Sequence, residues 1–237
     1  MGAHASRLVA PRPEVTAIDW DRRIARAAEL ESQYEAAAEM VRFYRTIAAF
    51  QKQVYLLAPP DLPALAMLAP ELRRVIENAG RPDLAAATAH LEAFWSGESL
   101  PPEEAFVART LLEPHAARLD RCPWCERKAQ VAILRPEGHG AKRALACGLC
   151  SREYAFPRVE CPACGEREFE KLPVYSATEF PHIRVDACDT CRKYVKTVDL
   201  TKNGLAVPVV DELAAVPLDL WASDHNYTKL QVNLLGL

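Results

Sequence analysis

Cysteine is absent from the first 121 residues of this 237-residue chain. Long apolar runs are absent as well. No stretch reaches the ~18 uncharged apolar residues of a membrane-spanning helix, so no membrane insertion is expected. Glycine is scarce, with nine in all, and none forms a phosphate loop, a nucleophile elbow or a Rossmann fingerprint. Nucleotide cradling and elbow-type nucleophilic catalysis therefore have no support. Neither sign of charge dominates. The formal net charge of -3 predicts no general attraction to phosphate backbones or anionic membranes. The opening MGAHASRLVAPRPEV has no apolar segment of the secretion-signal type. It reads as a frayed, proline-containing terminus, although Met1-Gly2 with Ser6 formally fits a myristoylation pattern. The six histidines are scattered, and His139 and His182 fall in hairpin loops where exposure to solvent is expected.

What is present begins with an ordinary soluble composition, half apolar and 26% charged, enough to bury a real core. From about Ile18 to Leu119 the signals are helical. Met40, Phe43, Ile47, Phe50 and Val54 recur at spacings of three and four, which places them on one helix face. Pro59-Pro60 ends that element, because proline cannot continue the hydrogen-bond ladder. A broken helix is predicted over Leu62 to Asn78, with Pro70 inside it and Gly80 as its stop. Another spans Asp83 to Trp95, closed by Gly97, and a last one opens at Pro101-Pro102. These apolar stripes read as the core of a helical bundle.

The texture changes at Arg121. All eight cysteines lie between 122 and 191, as four Cys-x-x-Cys pairs: Cys122/Cys125, Cys147/Cys150, Cys161/Cys164 and Cys188/Cys191. QVAIL and RALAC flank a turn-like RPEGHG between the first two pairs. KLPVYSA and HIRVDAC lie between the last two, so each half reads as a β-hairpin joining two pairs. The gaps of 21 and 23 residues make the halves look like an internal repeat. A Cys-x-x-Cys turn aims two sulfurs at one point, and two such turns complete a tetrahedral four-sulfur shell. Without a signal peptide, metal binding is favoured over disulfides. The repeat predicts sequential grouping, Cys122/125/147/150 and Cys161/164/188/191; a cross-braced grouping is the alternative. The residues after the pairs are Glu126, Ser151, Gly165 and Arg192, so covalent haem attachment, which needs histidine there, is excluded. Closed four-thiolate shells argue against hydrolysis at the metal. Both zinc and rubredoxin-type iron suit them.

A zinc-ribbon nucleic-acid-binding or regulatory protein is the competing reading. Residues 122–200 carry thirteen Lys/Arg against eleven Asp/Glu, a surplus of +2 before the metals. Two divalent ions with four thiolates each bring the total to about -2, so no basic footprint remains. The aromatics Trp124, Tyr154, Phe156, Tyr175, Phe180 and Tyr194 are expected to pack around the metal sites. The tail contains a turn at Asn203-Gly204 and a short helix over Glu212 to Trp221, interrupted at Pro217.

Taken in order, the helical part, CPWCERKAQ, ACGLCSREYAFPRVECPACGE, ACDTCRKYVKTVDL and VPVVDELAAVPLDLWA resemble the formate dehydrogenase accessory (FdhE) family. FYRTIAAFQ, Phe43–Gln51, is the best-matching piece of the helical part. Arg158 corresponds to the arginine before the third pair, and Tyr194–Asp199 and Asp211–Leu213 match the segments after the fourth. Glu126 stands where the family tends to have Gly, and Tyr154 where Trp is expected. The expected fold is α+β: a disordered terminus (1–17), a helical domain (18–120), two tandem rubredoxin-like or zinc-ribbon modules with small β-hairpins (121–158 and 159–202), and a carboxy-terminal segment packed on the modules (203–237). The resemblance implies a cytoplasmic, non-enzymatic assembly factor. It would bind the catalytic subunit of a molybdenum- or tungsten-containing formate dehydrogenase before twin-arginine export. It also implies iron in rubredoxin-like sites beside the zinc that spacing suggests. That subunit is expected to dock on a face shared by the ribbons and the helical domain, with apolar contacts from the helical domain or from the tail segment Val207–Trp221.

Overall fold

The computed structural model describes residues 17–57, 61–76, 87–116, 118, 122–125 and 127–237. The expected disordered terminus through residue 16, the Met1-Gly2 pattern, Pro59-Pro60, Gly80 and the start of the helix at Asp83 lie outside these residues.

The amino-terminal part is helical: α1 (Ala17–Gln33), α2 (Ala38–Leu57), α3 (Leu62–Ala66), α4 (Ala69–Val75), α5 (Ala87–Ser96) and α6 (Pro102–Ala116). The pairs Asp21–Lys52 at 2.6 Å and Glu31–Arg42 at 2.7 Å bridge opposite ends of α1 and α2, so the two helices are antiparallel. The predicted face of α2 is the packed one, with Ile47, Phe50 and Val54 buried. No proline or glycine marks the break between α1 and α2. A single 3₁₀ turn at Glu35–Ala37 makes it, with no signal in the local sequence. The broken helix divides at Met67-Leu68, and Pro70 sits in the first turn of α4 rather than inside a helix. There its missing N–H costs nothing. Asp61 caps α3 by accepting a bond from the Ala64 amide at 2.7 Å. Gly97, with φ of +88°, ends α5 as expected.

The carboxy-terminal part contains β1 (Ala129–Glu137), β2 (Gly140–Cys147), β3 (Glu153–Ala155), β4 (Val174–Ser176), β5 (Ile183–Ala187), β6 (Lys193–Asp199), α7 (Pro208–Ala214), α8 (Val216–Asp224) and β7 (Thr228–Lys229). Both predicted hairpins form. Each half is a three-stranded antiparallel unit, β1-β2-β3 and β4-β5-β6, with cysteine pairs at corresponding places. The repeat is therefore structural. The two modules are not separate beads, however. The outer strand of the second half, β6, pairs in parallel with β1, which joins both halves in one sheet of order β3-β2-β1-β6-β5-β4. β7 from the tail extends the same edge of β6. The reason lies in β1. Its residues Ala129–Leu134 are all buried, and a strand apolar on both faces needs neighbours on both edges and cover on both sides.

Three apolar clusters fill the molecule. The largest runs from the helices through Trp124, Cys147, Leu149 and Cys150 to Val210 and Leu213 of α7. A second lies between the sheet and α7–α8, with Val131, Ile133, Val185 and Val198 facing Leu218 and Ala222. A small third cluster covers the opposite face, around Ala132, Leu145 and Val195. The tail helix differs from expectation: it is two helices broken at Ala215, and Pro217 lies in the first turn of α8. The tail segment also does not present an open apolar surface. Val210, Leu213, Ala214, Ala215 and Leu218 are buried, leaving Leu220 as its exposed large apolar residue.

Candidate metal centres

The eight sulfurs gather into two sets, Cys122, Cys125, Cys147 and Cys150, and Cys161, Cys164, Cys188 and Cys191, each with all sulfurs within 4.8 Å of one another. The grouping is the sequential one. All eight are free thiols. The sulfur–sulfur contacts are 3.7 Å for Cys122–Cys147, 3.3 Å for Cys125–Cys150, 3.7 Å for Cys161–Cys191 and 3.7 Å for Cys164–Cys188. A tetrahedron with metal–sulfur bonds of ~2.3 Å has edges of about 3.8 Å. The spacing thus fits a tetrahedral ion, and each set is able to hold one.

The local fold that aims the sulfurs is the same in three of the pairs. Ser151, Gly165 and Arg192 donate backbone N–H bonds to the carbonyls of Cys147, Cys161 and Cys188, at 3.1, 3.0 and 2.8 Å. The amides of those three cysteines return bonds to the carbonyls of Arg152, Glu166 and Lys193, each at 2.9 Å. Closing this loop forces the residue after each pair into the left-handed region, with φ of 56° at Ser151, 76° at Gly165 and 57° at Arg192. Glycine meets that demand freely at 165; the other two carry a cost of about 1–2 kcal/mol each. Glu126, the fourth such residue, lies outside the described residues.

Clustered thiols share charge unevenly. In the first set, bonds from Cys122, Cys125 and Cys150 pull the Cys147 thiol far down, and the same contacts drive Cys150 far up. In the second, burial pushes Cys191 up to about 12. Burial also acts to raise Cys188, but amide and thiol donors, Cys191 first, outweigh it and leave that thiol lowered. Four adjacent thiolates need a cation, and a buried arginine stands by each set. Arg109 donates to the Gly148 carbonyl at 2.5 Å and to Gln130 at 2.6 Å. Burial lowers its pKa, while Glu113, Glu212 and the Cys147 thiolate act to raise it. Arg143 donates to the Pro157 and Glu160 carbonyls at 3.1 Å each and pairs with Asp186 at 3.3 Å. These arginines carry no signature in the sequence.

Two further arrangements carry no sequence signal either. His182 is buried rather than exposed, because its ring Nε2 lies 2.8 Å from Asp211 and its carbonyl accepts from the Asp199 amide at 2.8 Å. Asp211 also receives Arg26 from α1, at 2.6 and 3.0 Å, and the Val207 amide at 2.7 Å. One carboxylate thereby joins α1, α7 and the loop before β5. Beside it, buried Glu212 faces Lys196 of β6 at 3.2 Å and Lys229 of β7, while Lys196 also reaches Asp219 at 2.5 Å. The segments Tyr194–Asp199 and Asp211–Leu213 therefore meet in one buried ionic network. His139 is exposed as expected. Of the aromatics, Trp124 packs beside the first sulfur set, against Phe94 at 5.1 Å. Tyr175, Phe180 and Tyr194 instead pack in the cluster under α8, and Tyr154 and Phe156 cover the small cluster on the other face.

Comparison with known proteins agrees with this geometry. Residues 159–235 match the family model described as FdhE, C-terminal domain. A "Protein FdhE homolog" of Aquifex aeolicus is 35% identical over 116 residues, 48% of this chain and 41% of the relative. Residues 159–235 thus carry a domain of the FdhE type. A second FdhE homolog, from Pseudomonas putida, is 32% identical over 157 residues, 62% of this chain and 46% of the relative. The matched stretches thus span less than half the length of these FdhE relatives. The crystal structure of the FdhE protein from Pseudomonas aeruginosa superposes with a TM-score of 0.69 at 21% identity, covering 95% of this chain and 97% of that one, which establishes a shared α+β fold. Among the described residues no helix is long and apolar enough to cross a membrane.

Proposed function

We propose that this chain is a cytoplasmic maturation factor for formate dehydrogenase that binds the enzyme's catalytic subunit and is not itself an enzyme. The observation that carries this reading is the meeting of the two FdhE-like segments, Tyr194–Asp199 and Asp211–Leu213, in the network that locks the sheet to the helices. What resembles the family is thus the framework of the whole molecule as well as its cysteines. Cys122, Cys125, Cys147 and Cys150 hold one metal ion, and Cys161, Cys164, Cys188 and Cys191 hold another. The ions are iron or zinc. The unit 18–120 serves as the helical base, 121–158 and 159–202 as the metal modules, and 203–237 as the segment that ties them together. Four thiolates leave no open coordination position for a hydrolytic water, which supports a binding role.

The test is capture of the purified catalytic subunit of a formate dehydrogenase by the full chain. A complex that survives gel filtration is expected; the absence of one would remove the assembly reading. Elemental analysis with a visible spectrum tests the metals. Two ions per chain are expected, coloured for ferric tetrathiolate and colourless for zinc. Fewer than two would refute the ligand assignment.

A further inference from the structure

The two sulfur sets share a turn but not an environment. In the first, Cys147 and Cys150 belong to the largest apolar core, and Cys122 and Cys125 pack against it. Trp124, between the first two cysteines, is itself buried and sits under the Lys128 ammonium at 4.5 Å. Arg23 of α1 reaches across to the Ser151 hydroxyl at 2.7 Å while pairing with Glu113 of α6 at 2.9 Å. Helices thus close over this set from two sides. The second set belongs to none of the three apolar clusters. Cys164 is exposed, the one cysteine of the eight in that class. Cys161 and Cys188 are buried, and Tyr227 of the tail donates to Asp189 at 2.6 Å, but around Cys164 the bonds are surface ones: Thr190 to Glu166 at 2.5 Å, Arg167 to Glu160 at 2.9 Å and Lys171 to Glu168 at 2.8 Å. Exposed pairs of this kind hold little against local opening.

We propose that the second centre, entered at Cys164, is where the chain exchanges its metal with an incoming soft ligand, and that the first is a permanent weld between helices and sheet. The proposal rests on reading both sets as metal centres. In the exchange step a bond forms between the metal and a sulfur or nitrogen donor of the incoming ligand. The bond from the metal to the Cys164 sulfur breaks, and that thiolate takes a proton from water. No electron changes hands. Repetition at the other three sulfurs transfers the ion to any acceptor of the same donor class. In the first centre Cys122 and Cys125 are only partly exposed and Cys147 and Cys150 are buried in the main core, so the same step is slower there.

The test uses the full chain loaded with zinc, its content first measured by elemental analysis. A content below two ions would mean that the metal reading itself has failed. With two ions present, 4-(2-pyridylazo)resorcinol is added in excess and release is followed by absorbance. One equivalent should leave at least about tenfold faster than the other, because opening a surface turn costs far less than opening a core. Iodoacetamide added between the phases, followed by peptide mass spectrometry, should label Cys161, Cys164, Cys188 and Cys191 while sparing the other four. Far-UV circular dichroism should be unchanged at that point. The variant Cys164→Ser should speed the first phase and leave the second alone. Release in a single phase, or first labelling at Cys122–Cys150, would overturn the proposal.

Discussion

The first and second halves of the sheet are built from the same parts. Each has two cysteine turns, a hairpin between them and a third strand. They differ in what lies against them. The first half is pressed into the helices through Trp124, Cys147 and Leu149, whereas the cysteine end of the second half lies outside the apolar clusters, exposes Cys164 and is tied to the tail by polar bonds such as Tyr227 to Asp189 at 2.6 Å. A repeated local structure therefore does not imply a repeated role. The turn sets where the sulfurs point, and the surrounding core sets how hard they are to reach.

The comparison breaks most visibly if the cysteines are removed pair by pair. Cys147→Ser with Cys150→Ser deletes half of a centre set in the main core. A structural zinc site contributes ~10–16 kcal/mol, against a typical total stability of ~5–15 kcal/mol. We expect this variant to lose its cooperative thermal transition. Cys188→Ser with Cys191→Ser should lose one metal yet keep most of its helical circular dichroism. Equal damage in both would erase the distinction between the halves.

A smaller effect is expected at the junction shared by both halves. Asp211→Ala strands Arg26 and His182 without their carboxylate, and breaking a buried pair in this way costs about 3–5 kcal/mol. Calorimetry should show the melting temperature lowered by roughly 2–4 °C per kcal/mol for a chain of this size. No change would mean that the junction does not depend on this residue.

Acid should probe the same junction more gently. Burial pushes the Glu212 carboxyl up, but Lys196 and Lys229 override it and hold it at about 2, below its ordinary 4.5. Its folded value is the lower one, so the unfolded chain binds the proton more readily. Its contribution to stability is complete above pH 4.5 and fades as pH falls toward 2. Wild type should therefore lose stability across that window. Glu212→Gln should start less stable at pH 7 and lose less on acidification; parallel curves would contradict the assignment.

The smallest change belongs to the exposed edge of the first half. Arg135 and Glu153 are joined by two bonds, at 2.5 and 2.7 Å, on the solvent side of the hairpin. Glu153→Gln should cost less than ~1 kcal/mol by urea denaturation, with a smaller cost at high salt. A larger loss would show that this edge matters as much as the core.

Much of the site is legible in the sequence. The four pairs, their sequential grouping and the two hairpins follow from spacing, because a Cys-x-x-Cys turn and a tight hairpin are local objects. The face of α2 follows from periodicity for the same reason. His182 is not legible in this way, because its position in a loop says nothing of the carboxylate that meets it 29 residues later. Pro70 and Pro217 look like interruptions in a linear pattern, yet each opens a helix, a role that depends on where the preceding turn ends.

By itself the sequence determined the chemistry of this protein: eight sulfurs in two closed sets, on a chain with a helical base. It could do so because ligand type and short-range spacing are properties of neighbouring residues. Only the tertiary structure decided that β6 joins β1 and makes the two modules one sheet, that Arg26, His182 and Asp211 share one junction, and that one sulfur set packs into the main core while the other includes an exposed cysteine. Each of those depends on partners far apart in the chain, and burial is a property of the packed whole.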